Sequence, residues 1–481
     1  MHKDIIVVGA GISGIAAGYN LQKSCPNKSF AILEGRSSLG GTWDLFKYPG
    51  VRSDSDMHTL GFRFKPWIHK KSIADGPSIL EYLNETVDEF NLREKISFNH
   101  KVISSNWSSE KSVWELKVLC NENETHMTCN FLFLCGGYYS YDKPFMPKFP
   151  NQKEFQGRLI HPQFWDESMD YSNKKVIVIG SGATAITLVP AIAQKAEHVT
   201  MLQRSPSYVV SGPGEDSWSQ SLNKILPLRL SYFLIRWKNI LRTSLGFYLA
   251  RKYPNWVKKR LIDRVRDELG QDFNVEKHFT PRYNPWDQRM CLVPDSNLFA
   301  SIRDNKVSVV TDVIKSFTKD GILVESGEQI EADIIITATG IELNILNDIS
   351  VSVDDRKVVP NNKLSYKGMM LSGVPNLAFS FGYVNASWTL RADLTCEYVC
   401  RLLNEMDKQN VAVCLPEEDS QAMVDDEYID FTSGYVQRAL DILPKQGMKA
   451  PWRNYQNYLK DIFLVRLFSI KDSTLKFYNH K

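Results

Sequence analysis

Two short apolar runs along the chain end in a glycine-rich turn and then continue in the same way. Residues 4–14, DIIVVGAGISG, and residues 175–185, KVIVIGSGATA, both place an apolar run before a glycine-rich turn and a helical pattern. A second apolar run follows each turn, FAILE at 30–34 and HVTMLQ at 198–203. Strand, turn, helix and parallel second strand make up a βαβ unit. The sequence therefore predicts an α/β fold with two Rossmann-like dinucleotide-binding lobes.

Two further apolar runs indicate where the chain passes from one lobe to the other. They are NFLFLCGG at 130–137 and ADIIITATG at 332–340, and both end in glycine. The segment YSYDKPFMPKFP, which follows the first of them, contains three prolines and predicts an extended linker. We expect five segments: the first part of the first lobe at 1–143, the linker and first part of the second lobe at 144–211, a helical insert at 212–280, the second part of the second lobe at 281–331, and the second part of the first lobe with C-terminal helices at 332–481.

The insert has a helical pattern and is strongly basic. Residues 224–266 contain twelve Lys and Arg against one acid, Asp263. Leu228 to Ala250 is apolar and long enough to span a bilayer, but it contains four basic residues. Each charge at a bilayer centre costs about 2.5–3.5 kcal/mol, which disfavours a membrane span. We expect a packed helix that covers the site, and contact of a cationic face with lipid head groups is the less favoured alternative.

Composition and charge exclude several classes of protein. A chain of 481 residues exceeds one ordinary core, and its 43% hydrophobic and 23% charged residues are typical of a globular protein. A net charge of +3 is too small to indicate a nucleic-acid partner. The eight cysteines show no C-x-x-C pair, so we expect no metal site and reduced thiols. Scattered cysteines with reduced thiols indicate a cytoplasmic protein. The N-terminus predicts a strand rather than a signal peptide.

The first glycine turn is expected to bind a dinucleotide. Four residues open its predicted helix: Gly9, Gly11, Ser13 and Gly14. The amides at a helix N-terminus attract a pyrophosphate, and Glu34 ends the next strand, where a carboxylate accepts hydrogen bonds from a ribose 2′-hydroxyl. The alternative is a purely structural turn with Glu34 at a solvated strand end. The strand before the turn and the helix after it favour the binding function.

The second glycine turn differs in the residues that follow its second strand. Five residues form the turn and the helix start: Gly180, Gly182, Ala183, Thr184 and Ala185. Where the first unit has an acid, the second has Arg204 and Ser205, and an arginine pairs with a 2′-phosphate that a carboxylate would repel. This predicts NADP in the second lobe, with a solvated arginine as the alternative. Two different dinucleotides indicate a flavin in the first lobe that receives hydride from a nicotinamide in the second.

Two longer motifs resemble the fingerprints of a known family. Residues 41–54, GTWDLFKYPGVRSD, fit the pattern G-x-W-x-x-x-x-[FY]-P-G-x-x-x-D. Residues 155–166 fit the pattern F-x-G-x-x-x-H-x-x-x-W-[PD] through Phe155, Gly157, His161, Trp165 and Asp166. Both patterns are typical of class B flavoprotein monooxygenases, specifically type I Baeyer–Villiger monooxygenases. The chain most resembles the branch of ethionamide-activating monooxygenases, through GTWDLFKYPGVRSDSDMHTLGFRFKPW and NASWTLRADLTCEYVCRLLN, and the resemblance extends to about residue 405.

The resemblance implies an enzyme with FAD in the first lobe and NADPH in the second. In that family NADPH reduces FAD, and the reduced flavin reacts with O2. One oxygen atom is then inserted next to a ketone carbonyl to give an ester or a lactone. We expect this reaction, with oxidation of sulfides beside it, and a small-molecule substrate. Gly41, Thr42, Trp43 and Asp54 would join the first glycine turn in binding FAD.

Two residues are the candidates for catalysis. Arg289, in the segment NPWDQRMCL, matches the position of the family's active-site arginine, and a fixed cation suits the oxyanion of a ketone adduct. Asp54 would hold that arginine in position, as the matching acid does in the family. The alternative for Arg289 is a structural ion pair with Asp287 or Asp295. The alternative for Asp54 is a turn or cap residue, with Asp56 competing for its role.

The second fingerprint lies between the linker and the strand that enters the second lobe. This position predicts that His161 belongs to an interdomain joint and couples lobe rotation to cofactor placement, rather than acting on substrate. A histidine that binds loop backbone is the alternative. Asp166 stands where most of these oxygenases have proline, which extends the resemblance to N- and S-oxidising flavin monooxygenases. An N- or S-oxygenating enzyme is therefore the second hypothesis, and a non-catalytic flavin-binding interaction protein is the third.

Overall fold

The computed structural model describes residues 1–418, 426–429 and 431–479. Its first strands are β1 (His2–Val8), β2 (Phe30–Leu33), β3 (Ile96–Ser97), β4 (His100–Ser108), β5 (Val113–Cys120), β6 (Asn123–Leu134), β7 (Tyr139–Pro144), β8 (Arg158–Ile160), β9 (Lys175–Ile179), β10 (His198–Gln203), β11 (Val209–Gly212), β12 (Cys291–Pro294), β13 (Val307–Thr311) and β14 (Ile314–Thr318). The later strands are β15 (Gly321–Val324), β16 (Gln329–Glu331), β17 (Ile334–Thr337), β18 (Ile341–Leu343), β19 (Ser350–Val353), β20 (Arg356–Lys357), β21 (Ser365–Tyr366), β22 (Met370–Leu371), β23 (Leu377–Phe379), β24 (Val413–Pro416), β25 (Asp426–Glu427), β26 (Lys445–Gln446) and β27 (Leu475–Tyr478).

Helices connect these strands and form the insert. They are α1 (Ile12–Ser24), α2 (Thr42–Leu45), α3 (Met57–Leu60), α4 (Gly76–Glu89), α5 (Ala183–Ile192), α6 (Ser217–Ile225), α7 (Leu228–Lys252), α8 (Pro254–Leu269), α9 (Val275–Phe279), α10 (Asn297–Arg303), α11 (Trp388–Gln409), α12 (Gly434–Gln437) and α13 (Tyr458–Ile462). Of the C-terminal helices expected in 332–481, α11 spans the segment LRADLTCEYVCRLLNEM, and the described residues beyond it form short strands and the short helices α12 and α13. Helix α13 continues as a π-helix over Phe463–Leu467. Prolines, glycines and polar residues interrupt the apolar pattern there every few positions, which keeps these helices short.

Two separate sheets confirm the predicted α/β fold with two dinucleotide lobes. In the first, β1 pairs in parallel with β2 and β6, and β23 also pairs in parallel with β6. Strands β4, β5 and β6 extend this sheet as an antiparallel meander. In the second, the order β13-β10-β9-β17-β8 is parallel throughout. Parallel strands with helices on both faces must be apolar on both faces, and the central strands are.

The alternation of side chains along β1 and β9 divides the core into four clusters. Ile5 and Val7 face a cluster that α1 and α11 cover, whereas Ile6 and Val8 face the opposite side of the first sheet. Val178 and its neighbours on alternate positions of β9 pack under α5, whereas Ile177 packs toward β14, β15 and β16. Each glycine turn therefore follows a strand whose last four residues are buried, which holds the turn at the carboxyl edge of its sheet.

The two crossings between the lobes lie side by side. Strand β7 leaves the first sheet after β6, and strand β18 returns after β17; the two pair in antiparallel fashion. Strand β17 itself pairs with both β9 and β8 in the second sheet. This central position buries its isoleucines on both faces. The lobe boundary expected at residue 332 is therefore too early, and the chain leaves the second sheet only after Thr337.

The insert consists of helices α6 to α9. It leaves the second lobe at β11 and returns at β12, and these two strands pair in parallel. The 25-residue helix α7 lies at its centre, and its residues 228–252 include the stretch considered as a membrane span. Among residues 1–418, 426–429 and 431–479, no helix combines the length and apolar character that a membrane crossing requires.

Candidate active site

Both glycine turns open into one cavity of about 1140 Å³ between the lobes. The cavity lies beyond the carboxyl ends of β1 and β9, where α/β sheets bind ligands. All the residues predicted to bind FAD or NADP line it except Gly14 and Ala185. Gly14 and Ala185 instead pack the helix against the strand: a Cβ on Gly14 would collide with the Gly9 carbonyl, and Ala185 is fully buried.

The N-termini of α1 and α5 both face this cavity. Helix α1 begins after Gly11 and helix α5 after Gly182, and neither has a side-chain cap or an acid in its first turn. No other residue that the structure describes lies within 4 Å of a Cβ built on Gly182, so the space in front of α5 is open. Uncapped amides and a positive helix dipole suit a diphosphate. The residues at both turns therefore fit a dinucleotide.

Glu34 lies at the end of β2 on the cavity wall. It is buried rather than solvated, which removes the alternative of a solvated strand end. Its carboxylate accepts hydrogen bonds from the Ala10 amide at 2.7 Å and the Arg36 amide at 3.0 Å. Burial raises its pKa, and the two amides partly offset this effect. The carboxylate is thus fixed in direction beside the glycine turn, where a ribose hydroxyl could reach it.

The first fingerprint packs against the first glycine turn. Helix α2 begins after Gly41, and a Cβ on Gly41 would lie 3.2 Å from the Gly11 Cα. Thr42 and Trp43 line the cavity from this helix. On the opposite side, the Ser13 hydroxyl accepts a hydrogen bond from the Trp388 ring nitrogen at 2.8 Å. The start of α11 therefore closes the turn from the other direction.

The second glycine turn holds the candidate NADP residues at one edge of the cavity. Gly180 approaches the Ala338 carbonyl so closely that a Cβ could not fit, and its φ is +141°. Thr184 and Ala183 line the cavity at the start of α5. Arg204 and Ser205 are exposed at the end of β10 and line the same edge. An exposed guanidinium at that place is available to a phosphate.

Arg289 lies on the cavity wall, half-buried among aromatic residues. Burial would lower its pKa, but the oxygens of Tyr138 and the carboxylate of Asp54 raise the pKa above its ordinary value. Tyr435 and Tyr139 act in the same direction, so the guanidinium keeps its charge in the cavity. These three tyrosines also line the cavity, and sequence reasoning missed them because no motif marks them.

Asp287 and Asp295, the two acids considered as alternative partners of Arg289, are bonded to other groups. Asp287 pairs with Arg251 at 2.9 Å, and Asp295 accepts a hydrogen bond from the Gly214 amide at 2.9 Å. Within the described part of the chain, Arg289 forms no ion pair with either acid. The structural alternative for Arg289 is therefore not supported.

Asp54 and Asp56 occupy different places. Asp54 lines the cavity, and burial raises its pKa, which Arg289 and Arg52 partly offset. Asp56 instead caps helix α3 by accepting from the Thr59 amide, and it also accepts from the Asn239 side chain at 2.8 Å. The competing aspartate is thus a cap, and Asp54 is the one of the two acids that lines the cavity with Arg289.

None of Phe155, Gly157, His161 and Trp165 lines the cavity. Phe155 packs edge-on against Phe317, and Trp165 packs against Tyr171. Asp166 pairs with Arg158 at 2.7 Å on the surface, and its hydrogen bonds with Ser168 and Arg158 lower its pKa to about 2. The second fingerprint is therefore a packing motif of the second lobe rather than a lining of the site.

His161 lies directly after the edge strand β8. Its Nδ1 accepts a hydrogen bond from the Gln163 amide at 3.2 Å, and burial lowers its pKa. The side chain of Gln163 donates to the carbonyls of Ser140 at 3.0 Å and Tyr141 at 2.8 Å, which belong to the crossing strand β7. The segment thus joins the second sheet to the crossing between the lobes, in the place that the joint hypothesis requires.

Arg438 is a further cavity residue that escaped the sequence analysis. It lies over the Phe145 ring at 3.4 Å and lines the cavity beside the crossing strands. Tyr138, one of the three tyrosines around Arg289, stacks on Trp388 at 4.8 Å between centroids, and its hydroxyl lies 2.9 Å from that of Tyr139. Arg438 is distant in sequence from both nucleotide motifs, so no local pattern could have placed it there.

The family and its relatives match this arrangement. The family described as flavin-binding monooxygenase-like matches residues 68–375, and an NAD(P)-binding Rossmann-like domain matches residues 7–70. The FAD-containing monooxygenase EthA of Mycobacterium tuberculosis (strain ATCC 25618 / H37Rv) is 50% identical over 477 residues, which cover 99% of this chain and 98% of the relative. The chain belongs to the flavin-binding monooxygenase-like family. It is an oxidoreductase, a flavin-dependent monooxygenase that uses a nicotinamide dinucleotide.

Other members and structures agree with the fold. The probable FAD-binding monooxygenase AlmA of Acinetobacter baylyi (strain ATCC 33305 / BD413 / ADP1) is 47% identical, over 99% of this chain and 96% of the relative. An oxidized steroid monooxygenase bound to NADP superposes with a TM-score of 0.80 at 20% identity and 100% coverage of both chains. Cyclohexanone monooxygenase with bound ε-caprolactone superposes with a TM-score of 0.77 at 19% identity and 99% coverage of both. At these identities the structures establish the shared fold of this family.

Proposed function

We propose that the chain is a Baeyer–Villiger monooxygenase that uses FAD and NADPH and also oxidises sulfides. One oxygen atom of O2 enters the bond beside a ketone carbonyl, and the other leaves as water with the two electrons of NADPH. The proposal depends above all on Arg289, a charged guanidinium on the wall of the one cavity that both glycine turns share. The reduced flavin, when bound, supplies the activated oxygen.

The chain's own residues have distinct tasks in this proposal. The amides at the start of α1, with Glu34 and the first fingerprint, would hold FAD, and the turn before α5 with Arg204 would hold NADPH. Arg289 would stabilise the negative charge that develops on the substrate carbonyl oxygen, since a fixed cation in a dry cavity needs no reorganisation. Asp54 would position that guanidinium, and the tyrosines around it would exclude water.

Product analysis tests the reaction directly. The purified protein is incubated under air with NADPH and a panel of linear, cyclic and aryl ketones, together with dialkyl and aryl sulfides. We expect ester or lactone from at least one ketone, with sulfoxide from the sulfides, at one NADPH consumed for each product. Sulfoxides or N-oxides alone, without any ester, would contradict the Baeyer–Villiger assignment and favour an N- or S-oxygenating enzyme.

Replacing Arg204 with alanine is expected to raise the KM for NADPH by about tenfold to a hundredfold, because a charged hydrogen bond to the 2′-phosphate is worth about 1.5–3 kcal/mol. The KM for NADH should change little, since NADH has no such phosphate. Lys195→Ala, which removes an exposed cation of the same lobe outside the cavity, provides the matched control. Equal increases in KM for NADPH and for NADH would show that Arg204 does not bind the 2′-phosphate.

A further inference from the structure

Helix α7 buries polar residues together with apolar ones and leaves most of its leucines exposed. Its buried residues include Ser231, Arg236 and Asn239 beside Tyr232, Ile235 and Ile240. A helix that packs on a protein core normally buries its apolar stripe and exposes its polar one. An apolar outer face on such a helix therefore indicates a second partner.

Polar bonds attach the inner face of α7 to the flavin lobe. The Tyr232 hydroxyl donates to the Phe62 carbonyl at 2.9 Å. Arg236 donates to the His58 carbonyl at 2.7 Å and pairs with Asp393 at 3.2 Å. These bonds fix the rotation of the helix about its axis, so the outward direction of the leucines is imposed by the structure rather than being free to change.

The outer face carries a continuous apolar stripe, which we call the outer stripe: Leu230, Leu234, Leu241, Leu245 and Tyr248. Their spacings of four, seven, four and three residues place them along one side of the helix. Each is between 42% and 57% exposed. Trp218, Ile225 and Trp256 extend the exposed apolar surface onto α6 and α8. Contiguous exposed apolar surface of this kind marks an interaction site.

The charges beside the outer stripe favour an anionic lipid surface over a second copy of this chain as its partner. Eight exposed cations lie on α6, α7 and α8: Lys224, Arg229, Arg242, Arg251, Lys252, Lys259, Arg260 and Arg264. No acid occurs between residues 217 and 262. A second copy of this chain would bring these like charges together, whereas an anionic lipid surface complements them. A helix with leucine and aromatic side chains toward the acyl chains and with flanking lysine and arginine has the chemistry of an interfacial helix.

We propose that the outer stripe and its flanking cations dock the protein on the surface of an anionic phospholipid bilayer. The helix lies in the interface plane and does not cross the membrane. Its C-terminal half also contacts the segment that carries Arg289, since Phe247 packs edge-on against Trp286 at 5.6 Å and Arg251 pairs with Asp287. The docked face therefore borders the segment of the catalytic candidate, and an apolar ketone dissolved in the bilayer would be concentrated near it.

Vesicle flotation of the full-length flavoprotein tests this proposal. We expect the protein to float with phosphatidylglycerol–phosphatidylcholine vesicles and much less with pure phosphatidylcholine, and to be released by high salt. The variant Leu234→Ser/Leu241→Ser/Leu245→Ser should bind the vesicles at least about tenfold more weakly, because it lacks three leucine side chains that would enter the lipid interface. Arg229→Glu/Arg242→Glu should lose roughly fivefold for each cation removed.

The matched control makes the same kind of substitution, apolar residue to serine, on other surfaces of the protein. Ile68→Ser/Ile103→Ser/Ile442→Ser replaces three exposed apolar residues outside the insert and should bind vesicles as the unchanged protein does. Retained yellow flavin and an unchanged melting temperature show that each variant is folded. Absence of vesicle binding by the unchanged protein would overturn the proposal, as would undiminished binding by the leucine variant. A dimer that the leucine variant converts to a monomer, without vesicle binding, would assign the face to self-association instead.

Discussion

Replacing Arg289 with methionine is expected to lower the rate of ester formation from ketones by about 10²–10³-fold, while sulfide oxidation continues. Methionine keeps much of the side-chain volume and removes the charge. Attack on a ketone places negative charge on the carbonyl oxygen, which a fixed cation stabilises. Transfer of oxygen to a sulfide develops no such oxyanion, so it does not need the guanidinium. Ester and sulfoxide are measured in the same incubation with NADPH.

Arg282→Met is the matched control for this substitution. Arg282 is exposed in the same stretch of chain and lies outside the cavity, so its loss should leave both products unchanged. Flavin content and the rate of flavin reduction by NADPH under nitrogen show whether the methionine at position 289 disturbs cofactor binding. If ester formation persists in the Arg289 variant, the catalytic role is wrong. If both products fall together with flavin reduction, Arg289 acts on nicotinamide binding rather than on the carbonyl.

Replacing Arg236 with methionine is expected to lower the free energy of unfolding by about 3–5 kcal/mol at neutral pH. The guanidinium and the Asp393 carboxylate are both only 5% exposed, so the substitution leaves a buried carboxylate without its cation. It also leaves the backbone carbonyls of His58 and Gly61 without their donor. Thermal and denaturant unfolding measure the change. Arg242→Met, on the exposed face of the same helix, should melt close to the unchanged protein.

The loss of unfolding free energy on replacing Arg236 should grow as the pH rises. Burial raises the pKa of Asp393 to about 6, although Arg236 partly offsets it. The folded pKa thus exceeds the unfolded one, and the stability that this group contributes is complete below about pH 4 and lost as pH rises through about 6. Without Arg236 the folded pKa rises further, and this loss extends to higher pH. The difference between the two proteins should therefore be larger at pH 8 than at pH 6, and a constant difference would contradict the pairing.

The double variant Arg236→Met/Asp393→Leu separates the pair from the rest of the network. Removing both charges eliminates the unpaired buried carboxylate, so part of the stability should return, as it commonly does when a buried ion pair is replaced by apolar groups. A double variant no more stable than the single one would indicate that the donor bonds to the carbonyls of residues 58–61 carry most of the effect.

The nucleotide turns were predictable because their constraint is local. A strand, a glycine that must approach another backbone, and a helix N-terminus lie within about fifteen residues of each other, as in residues 4–14. The surroundings of Arg289 were not predictable in the same way. Tyr138 precedes the crossing strand β7 and Tyr435 lies in helix α12, and only the fold brings them into one cavity with the guanidinium.

Helix α7 shows where periodicity misleads. Its apolar residues have helical spacing, which predicts a packed apolar face. In the structure the packed face carries Arg236 and Asn239 beside Ile235 and Ile240, because the two polar residues find carbonyl and carboxylate partners in the flavin lobe. Hydropathy along the chain cannot reveal partners on a distant segment, so the spacing predicts the helix but not which of its faces packs. The same reason explains β17, whose assignment to the second sheet depends on its neighbours β8 and β9.

Strands β7 and β18 form a two-stranded ribbon through which the chain passes in both directions between the lobes. Two separate linkers would allow one lobe to slide past the other, but a hydrogen-bonded ribbon resists sliding along its length and yields mainly to twisting. We therefore expect the ribbon to twist rather than slide when the lobes move, within the limit that the bonds of α7 to the flavin lobe set. Gly137 and Gly340, which precede the two strands of the ribbon and have positive φ, are where we expect its backbone to rotate.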